Sequence, residues 1–269
     1  MTRVGMVALV TLSAITVLAV LGPLGWTIDP NATDPAHRLA DPSGAHLFGT
    51  DELGRDVLSR LMHGAQVTLL VGVASMLAAL VLGTLIGAVA GFYGGWLDTA
   101  LMRLTDAMLA VPAFFLILVV VTVVGSSVTT LVLVIGGLSW MPVARIVYGE
   151  TLRWKTTEFV LAARSLGAAP ARVLVRHVLP QTVPSLVVSA TLGVAYAILT
   201  ESAISYLGLG IQPPTPSWGN MLQRAQQYVF TAPTLALYPG AAITIVVLAF
   251  NFLGDSLRDA LDPRAPARR

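Results

Sequence analysis

The side chains that could do chemistry in this chain are few, and their spacing removes most reactions. Its one lysine, Lys155, lies in GETLRWKT from Gly149 to Thr156. A phosphate loop needs a glycine just before that lysine so that the backbone can lie against the phosphates; Trp154 stands there instead. The histidines, His37, His46, His63 and His177, have no H-E-x-x-H spacing and read as surface residues. With no cysteine and no G-x-S-x-G elbow, thiolate, cysteine-metal and serine-hydrolase chemistry have no basis. Two acids remain of interest. Glu201 sits at the end of an apolar segment beside Thr200, Ser202 and Ser205, which makes it either a satisfied structural acid or part of a path or outer gate. Asp106 follows Arg103 by one helical turn and reads as an i, i+3 pair anchoring its segment.

The most patterned polar stretch runs from Glu158 to Gln181, EFVLAARSLGAAPARVLVRHVLPQ. Val173, Leu174, His177 and Val178 recur at helical spacing, while Arg164, Arg172 and Arg176 stay polar. Gly167 suits the left-handed residue that ends a helix, and Pro170 suits the first turn of the next. A helix-turn-helix that closes on Leu179-Pro180 is more than a connector and fits docking to a soluble partner.

The elements that hold these residues are apolar. The chain is 55% hydrophobic and 11% charged, with a mean hydropathy of +0.78, against about 25% charged in soluble domains. Six segments reach the roughly 20 residues that a bilayer requires: Val4–Trp26, Val67–Gly91, Leu101–Val124, Val128–Tyr148, Val183–Ser202 and Leu235–Leu253. The first lacks a small-residue cleavage site and reads as a retained anchor. The net charge of +2 gives no reason to expect nucleic-acid binding. Arg3, Arg103, Arg145, Arg153, Lys155, Arg164, Arg172, Arg176, Arg258, Arg264, Arg268 and Arg269 fall on one side of the six-span arrangement. Arg38, Arg55, Arg60 and Arg224 fall on the other. The positive-inside bias therefore places both termini and the patterned loop in the cytoplasm. Segments 27–66 and 203–234 become outer excursions.

Ala79, Gly83, Gly87 and Gly91 recur every fourth residue, a face on which helix backbones can approach closely in lipid. Pro112, Pro142 and Pro239 are kink sites. The stretch GLGIQPPTPSW, Gly208 to Trp218, reads either as an outer surface for a partner or substrate, or as an interfacial loop anchored by Trp218.

Four blocks in order resemble the C-type permease subunit of the dipeptide, oligopeptide and nickel importers of the ATP-binding-cassette (ABC) class. They are FGTDELGRDVLSRLMHGAQVTLLVG (Phe48–Gly72), GAVAGFYGGWLDTALMRLTDAMLAVPAFFL (Gly87–Leu116), ESAISYLGLGIQPPTPSWGNML (Glu201–Leu222) and NFLGDSLRDALDPR (Asn251–Arg264). Together they cover most of the chain from Phe48 onward. The Glu158–Gln181 stretch is similar to the coupling loop of such importers, EAA-xxx-G-x9-I-x-LP, at Ala162, Ala163, Gly167, Leu179 and Pro180. Leu161 replaces the motif glutamate and His177 the isoleucine, so a loop salt bridge from that glutamate is not expected. Gln66 replaces a residue that is often basic in relatives.

The resemblance implies an all-α, six-span type I importer permease with no catalysis of its own. Residues 1–66 would form the first span and outer segment, residues 67–257 the transmembrane domain with its coupling loop at 150–182, and residues 258–269 a tail. The coupling residues would be Ala162, Ala163, Arg164, Gly167, Ala168, Pro170, Val173, Leu174, His177, Leu179 and Pro180. Implied partners are a second homologous permease, two ATPase subunits that bind ATP and Mg, an extracytoplasmic binding protein, and membrane lipid in a bacterial inner membrane. Peptides lead as cargo, with nickel chelates, glutathione or haem as alternatives on the same scaffold. An ion-coupled secondary transporter would show paired mid-membrane charges and inverted repeats; neither is visible in the sequence.

Overall fold

The structure is a computed structural model that describes residues 2–261. Among the described residues every regular element is helical, and the one β pairing is an isolated Thr50–Asp56 bridge. Helix α1 (Arg3–Gly25) starts at Thr2, whose hydroxyl accepts the Gly5 N–H. Helix α2 (Val57–Tyr93) starts well before the expected Val67, because the Asp56 carboxylate accepts the Ser59 N–H at 2.7 Å and so caps it there. Helices α3 (Gly95–Leu109) and α4 (Ala113–Val124) replace the single span expected over Leu101–Val124 and are bent by 83° to each other. Pro112 is the cause: it offers no N–H and pushes Val111 away from helical backbone.

Helices α5 (Val128–Gly137) and α6 (Trp140–Trp154) form one crossing with a step at Leu138–Ser139, and it outruns the expected Tyr148. The loop helices are α7 (Glu158–Ser165) and the single turn α8 (Pro170–Val173). A π-helical turn at Leu174–Val178 then feeds α9 (Leu179–Tyr206). Helix α10 (Trp218–Ala225) and helix α11 (Thr234–Leu261) complete the chain. Residues 258–261 continue α11; the rest of the expected 258–269 tail, with Arg264, Arg268 and Arg269, lies outside the described residues. Five helical stretches are long and apolar enough to cross a membrane, and the broken α3–α4 pair makes a sixth.

Polar contacts fix which ends lie together. The Thr2 N–H donates to the Ser256 hydroxyl at 3.1 Å, and Lys155 Nζ donates to the Gly91 carbonyl at 2.6 Å. The start of α1, the ends of α2 and α11, and the 155–169 loop therefore share one end, the loop end. At the far end, Trp26 Nε1 donates to Asp56 and Trp218 Nε1 to the Leu61 carbonyl, both at 3.0 Å.

The tightest seam joins α2 to α6, side by side and parallel. Gly83 faces Val143, Gly87 faces Val147 and Gly91 faces Thr151, in constant register. A Cβ on Gly83 would lie 2.7 Å from the Trp140 carbonyl oxygen, and one on Gly87 would collide with that of Ala144. These glycines thus lie against a helix of their own chain.

Candidate functional site

Gly167 has φ +82° and nothing near the place of a Cβ, so the turn between α7 and α8 needs glycine for its backbone alone. Pro170 occupies the first turn of α8. Ala162, Arg164, Pro170 and Pro180 are exposed, while Ala163, Ala168, His177 and Leu179 are half-buried. Val173, Leu174 and Val178 are buried in this chain's own core, together with Val160. That corrects the expectation that Val173 and Leu174 offer apolar contact to a partner: they hold the loop onto the helices above it. The apolar side chains left outward are Phe159, Leu161, Leu166 and Val175, with Leu166 89% exposed. Arg164 stacks over the Phe92 ring at 5.0 Å, tying α7 to the end of α2.

Beyond α8 the backbone does not stop. In the π turn the Leu179 N–H reaches back to the Leu174 carbonyl. The wide turn relieves Pro180, which has no N–H to give and whose ring would press on the Arg176 carbonyl in an ordinary α turn. Residues Pro170–Tyr206 therefore form one 37-residue helical stretch from loop to far end.

An open cavity of about 530 Å³ lies between α2, α6, α9 and the α3–α4 break. Its walls come from Met76 of α2, Leu109 and Pro112 at the α3–α4 break, Met141 and Ile146 of α6, and Tyr196 of α9. No Asp, Glu, Lys, Arg or His lines it; its polar groups are Ser139, Ser189 and Tyr196. Both helices that flank the 155–169 loop, α6 before it and α9 after it, are thus cavity walls.

Glu201 and Trp218 belong elsewhere. Glu201 has no exposed surface and accepts hydrogen bonds from Ser205 at 2.7 Å, Thr68 at 3.3 Å and Ser202 at 3.4 Å. Ser205 also accepts the Ile211 N–H, and Thr68 the Trp218 N–H, so one acid organises the turn after α9 and seats α10 on α2. Trp218 is 1% exposed, packed on Gly64. The expected surface or interfacial tryptophan is instead a wedge between helices. Neither residue lines the cavity.

Two further pairings differ from the sequence reading. Asp106 pairs with Arg145 of α6, not with Arg103 on its own helix. His46 is no free surface residue: its Nδ1 lies 2.9 Å from the buried Asp56 carboxylate, which also holds Trp26 and caps α2. His63 Nδ1 likewise lies 2.9 Å from the Ser59 carbonyl. Around them the TDELGRDVLSR block forms a knot. Asp51 accepts from the Arg55 backbone and side chain, and Arg60 donates to the Pro30 carbonyl, fastening residues 27–56 to the head of α2. The cavity walls and the Asp106–Arg145 pair carried no sequence signal beyond Pro112, because Met, Leu and Tyr are common in any span.

A bundle of membrane-length apolar helices, with an open cavity and a structured loop joined to two of its walls, is the architecture of a polytopic membrane protein. Residues 83–265 match the family described as binding-protein-dependent transport system inner membrane component. A dipeptide transport system permease protein of Alkalihalophilus pseudofirmus is 38% identical over 97% of this chain and 86% of its own length. A glutathione transport system permease protein of Pectobacterium atrosepticum is 43% identical over 83% of this chain and 74% of its own. A chain of the MetNI methionine ABC transporter in an inward-facing conformation superposes with a TM-score of 0.60 at 20% identity, covering 76% of this chain and 96% of that one. The chain belongs to the binding-protein-dependent transport system inner membrane component family; it is a multi-pass permease component of an ABC importer.

Proposed function

We propose that this permease serves an ATP-driven importer of dipeptides or oligopeptides and forms half of the translocation path beside a second, homologous permease. Residues 150–182 act as its coupling segment, received by one of two separate ATPase subunits that bind ATP and Mg. An extracytoplasmic binding protein delivers the cargo at the far end. The loop end, with its arginines, faces the cytoplasm of a bacterial cell, and membrane lipid surrounds the outward apolar faces. The organisation into a first span with its outer segment, a transmembrane domain and a basic tail follows the same reading.

One observation carries this reading: the 155–169 loop is continuous with α6 on one side and α9 on the other, and both wall the cavity. Force applied to α7 and α8 has two short routes to the path. The exposed contact surface, Leu161, Ala162, Leu166 and Gly167 rimmed by Arg164 and Arg172, suits an apolar groove with acidic edges. Peptides fit a cavity with hydroxyls and no fixed charge, which accepts a backbone without selecting a side-chain charge.

Glutathione is the second reading, favoured by the relative named for it; it too is a small peptide. The test is uptake by the complete complex in liposomes with its binding protein inside-out controls included. ATP-dependent accumulation of a labelled dipeptide is the expected result, and uptake of glutathione alone would move the reading to the second cargo. Uptake that needs an ion gradient and no ATP would end both.

A further inference from the structure

Helix α3 packs against both α2 and α6 and has a joint at each end. At its loop end it hangs from Gly94 and Gly95, whose φ values are +69° and +65°, and no atom lies within 4 Å of a Cβ built on either. At its inner end it breaks at Ala110–Pro112 into the 83° bend. A 15-residue rod thus lies between two joints. Its tip, Met108 and Leu109, is cavity wall.

Two polar contacts fasten this rod to α6. Asp106 pairs with Arg145, and the Tyr148 hydroxyl donates to Asp98 at 3.1 Å. Arg145 lies between cavity-lining residues Val143 and Ile146, and Asp106 lies just below Met108. Both pair members keep substantial exposure, 37% and 50% of their side chains, so neither is locked in by packing. A pair of this kind contributes little net energy in water, yet its members are costly to separate in lipid. Such a pair separates readily in water and stays closed in lipid.

We infer that α3 is the loop-end gate of the path and that Asp106–Arg145 is its latch, backed by Asp98–Tyr148. Helix α6 carries one half of each contact and runs straight on to the 155–169 loop. Motion of that loop shifts Arg145 and Tyr148 together, frees α3 at its joints and opens the cavity toward the loop end. Arg145 and Asp106 are positioning residues: they touch each other rather than the cargo. This inference rests on the transport reading above.

The absence of cysteine from the chain makes the test clean. The full complex is built with Asp106→Cys and Arg145→Cys in this chain, and a short thiol-specific bifunctional reagent with a reducible linker joins them. Cross-linking should abolish peptide uptake and lower ATP hydrolysis, and reduction should restore hydrolysis. The Asp98→Cys, Tyr148→Cys pair gives the same readout if the first pair assembles poorly. Separately, Asp106→Asn should raise ATP hydrolysed per peptide transported by at least ~5-fold, the lower bound for a measurable coupling between sites. The charge swap Asp106→Arg with Arg145→Asp should bring that ratio back toward parental. Unchanged uptake by a fully cross-linked complex, or a parental ratio in Asp106→Asn, overturns the gate. A parental complex without ATP-driven uptake overturns the transport reading instead, so the two failures are distinguishable.

Discussion

Helix α6 packs against α2, α3 and α9, and the first two grip it by opposite means. On the α2 side, glycines bring backbone against backbone along three successive turns, with no room for one added carbon. On the α3 side, the polar grip is an ion pair and one hydrogen bond across a hinged rod. Close packing in lipid has no water to exclude, so its strength comes from dispersion between well-fitted surfaces and does not yield gradually. Exposed polar contacts can break and re-form with little net change. The first grip suits a fixed frame and the second a moving part, and α6 joins them to the coupling loop.

The largest effect is expected at the frame. Gly87→Leu places a branched side chain against the Ala144 carbonyl and the Val147 side chain, about 3 kcal/mol of overpacking, the upper end of the usual range, at a seam of backbone contacts. Monodisperse protein in detergent should fall nearly to zero; a parental yield and melting temperature would show that the seam gives way, and the comparison would break.

Next comes the loop. Gly167→Val costs about 1–2 kcal/mol through backbone conformation alone, because no neighbour occupies the side-chain position. Insertion should be normal while uptake drops at least ~10-fold, the factor that each ~1.4 kcal/mol represents. Ala163→Glu should act similarly, by placing an unpaired charge in a closing interface. Pull-down of the ATPase subunit should weaken in both variants. Parental binding and uptake in both would remove the coupling role.

A smaller effect is expected at Glu201→Gln. Thr68, Ser202 and Ser205 all donate to the carboxylate, and a Gln amide can accept on one side only. The mismatch should cost roughly 1–3 kcal/mol of stability. Uptake per assembled complex should stay parental, since Glu201 does not line the cavity. A large loss of uptake with parental stability would place Glu201 in the path after all.

An effect of similar size sharpens the hinge. Gly94→Ala meets no neighbouring atom, but φ +69° with ψ −159° is a region essentially reserved for glycine, so stability should fall by roughly 1–3 kcal/mol while the rate of uptake, read by stopped-flow, slows. An unchanged rate would mean that the arm does not turn at that joint.

Much of this organisation was legible before folding. The apolar lengths fixed the number of crossings to within the broken pair, and the arginine bias separated the loop end from the far end. Gly83, Gly87 and Gly91 marked a close-packed face because only glycine lets helix axes approach so near. Gly167 and Pro170 marked a turn because their backbone preferences are local. The site was less legible. Asp106 has a basic neighbour one turn away on its own helix, so spacing favoured Arg103; the bend at Pro112 and the depth of α6 put Arg145 closer. Trp218 beside three prolines resembled an exposed anchor until α10 folded it onto Gly64.

By itself the sequence determined what depends on one residue and its near neighbours: the number of apolar crossings, the charge asymmetry, the glycine register and the turn at Gly167. The tertiary structure alone decided which groups meet across the bundle. The direction of the 83° bend, the burial of Val173 and Leu174 under their own loop, the Glu201 node and the Asp106–Arg145 latch all join residues far apart in the chain. Helix periodicity states which face a residue occupies but not which helix faces it, and a membrane span, apolar nearly all round, gives no stripe from which to choose.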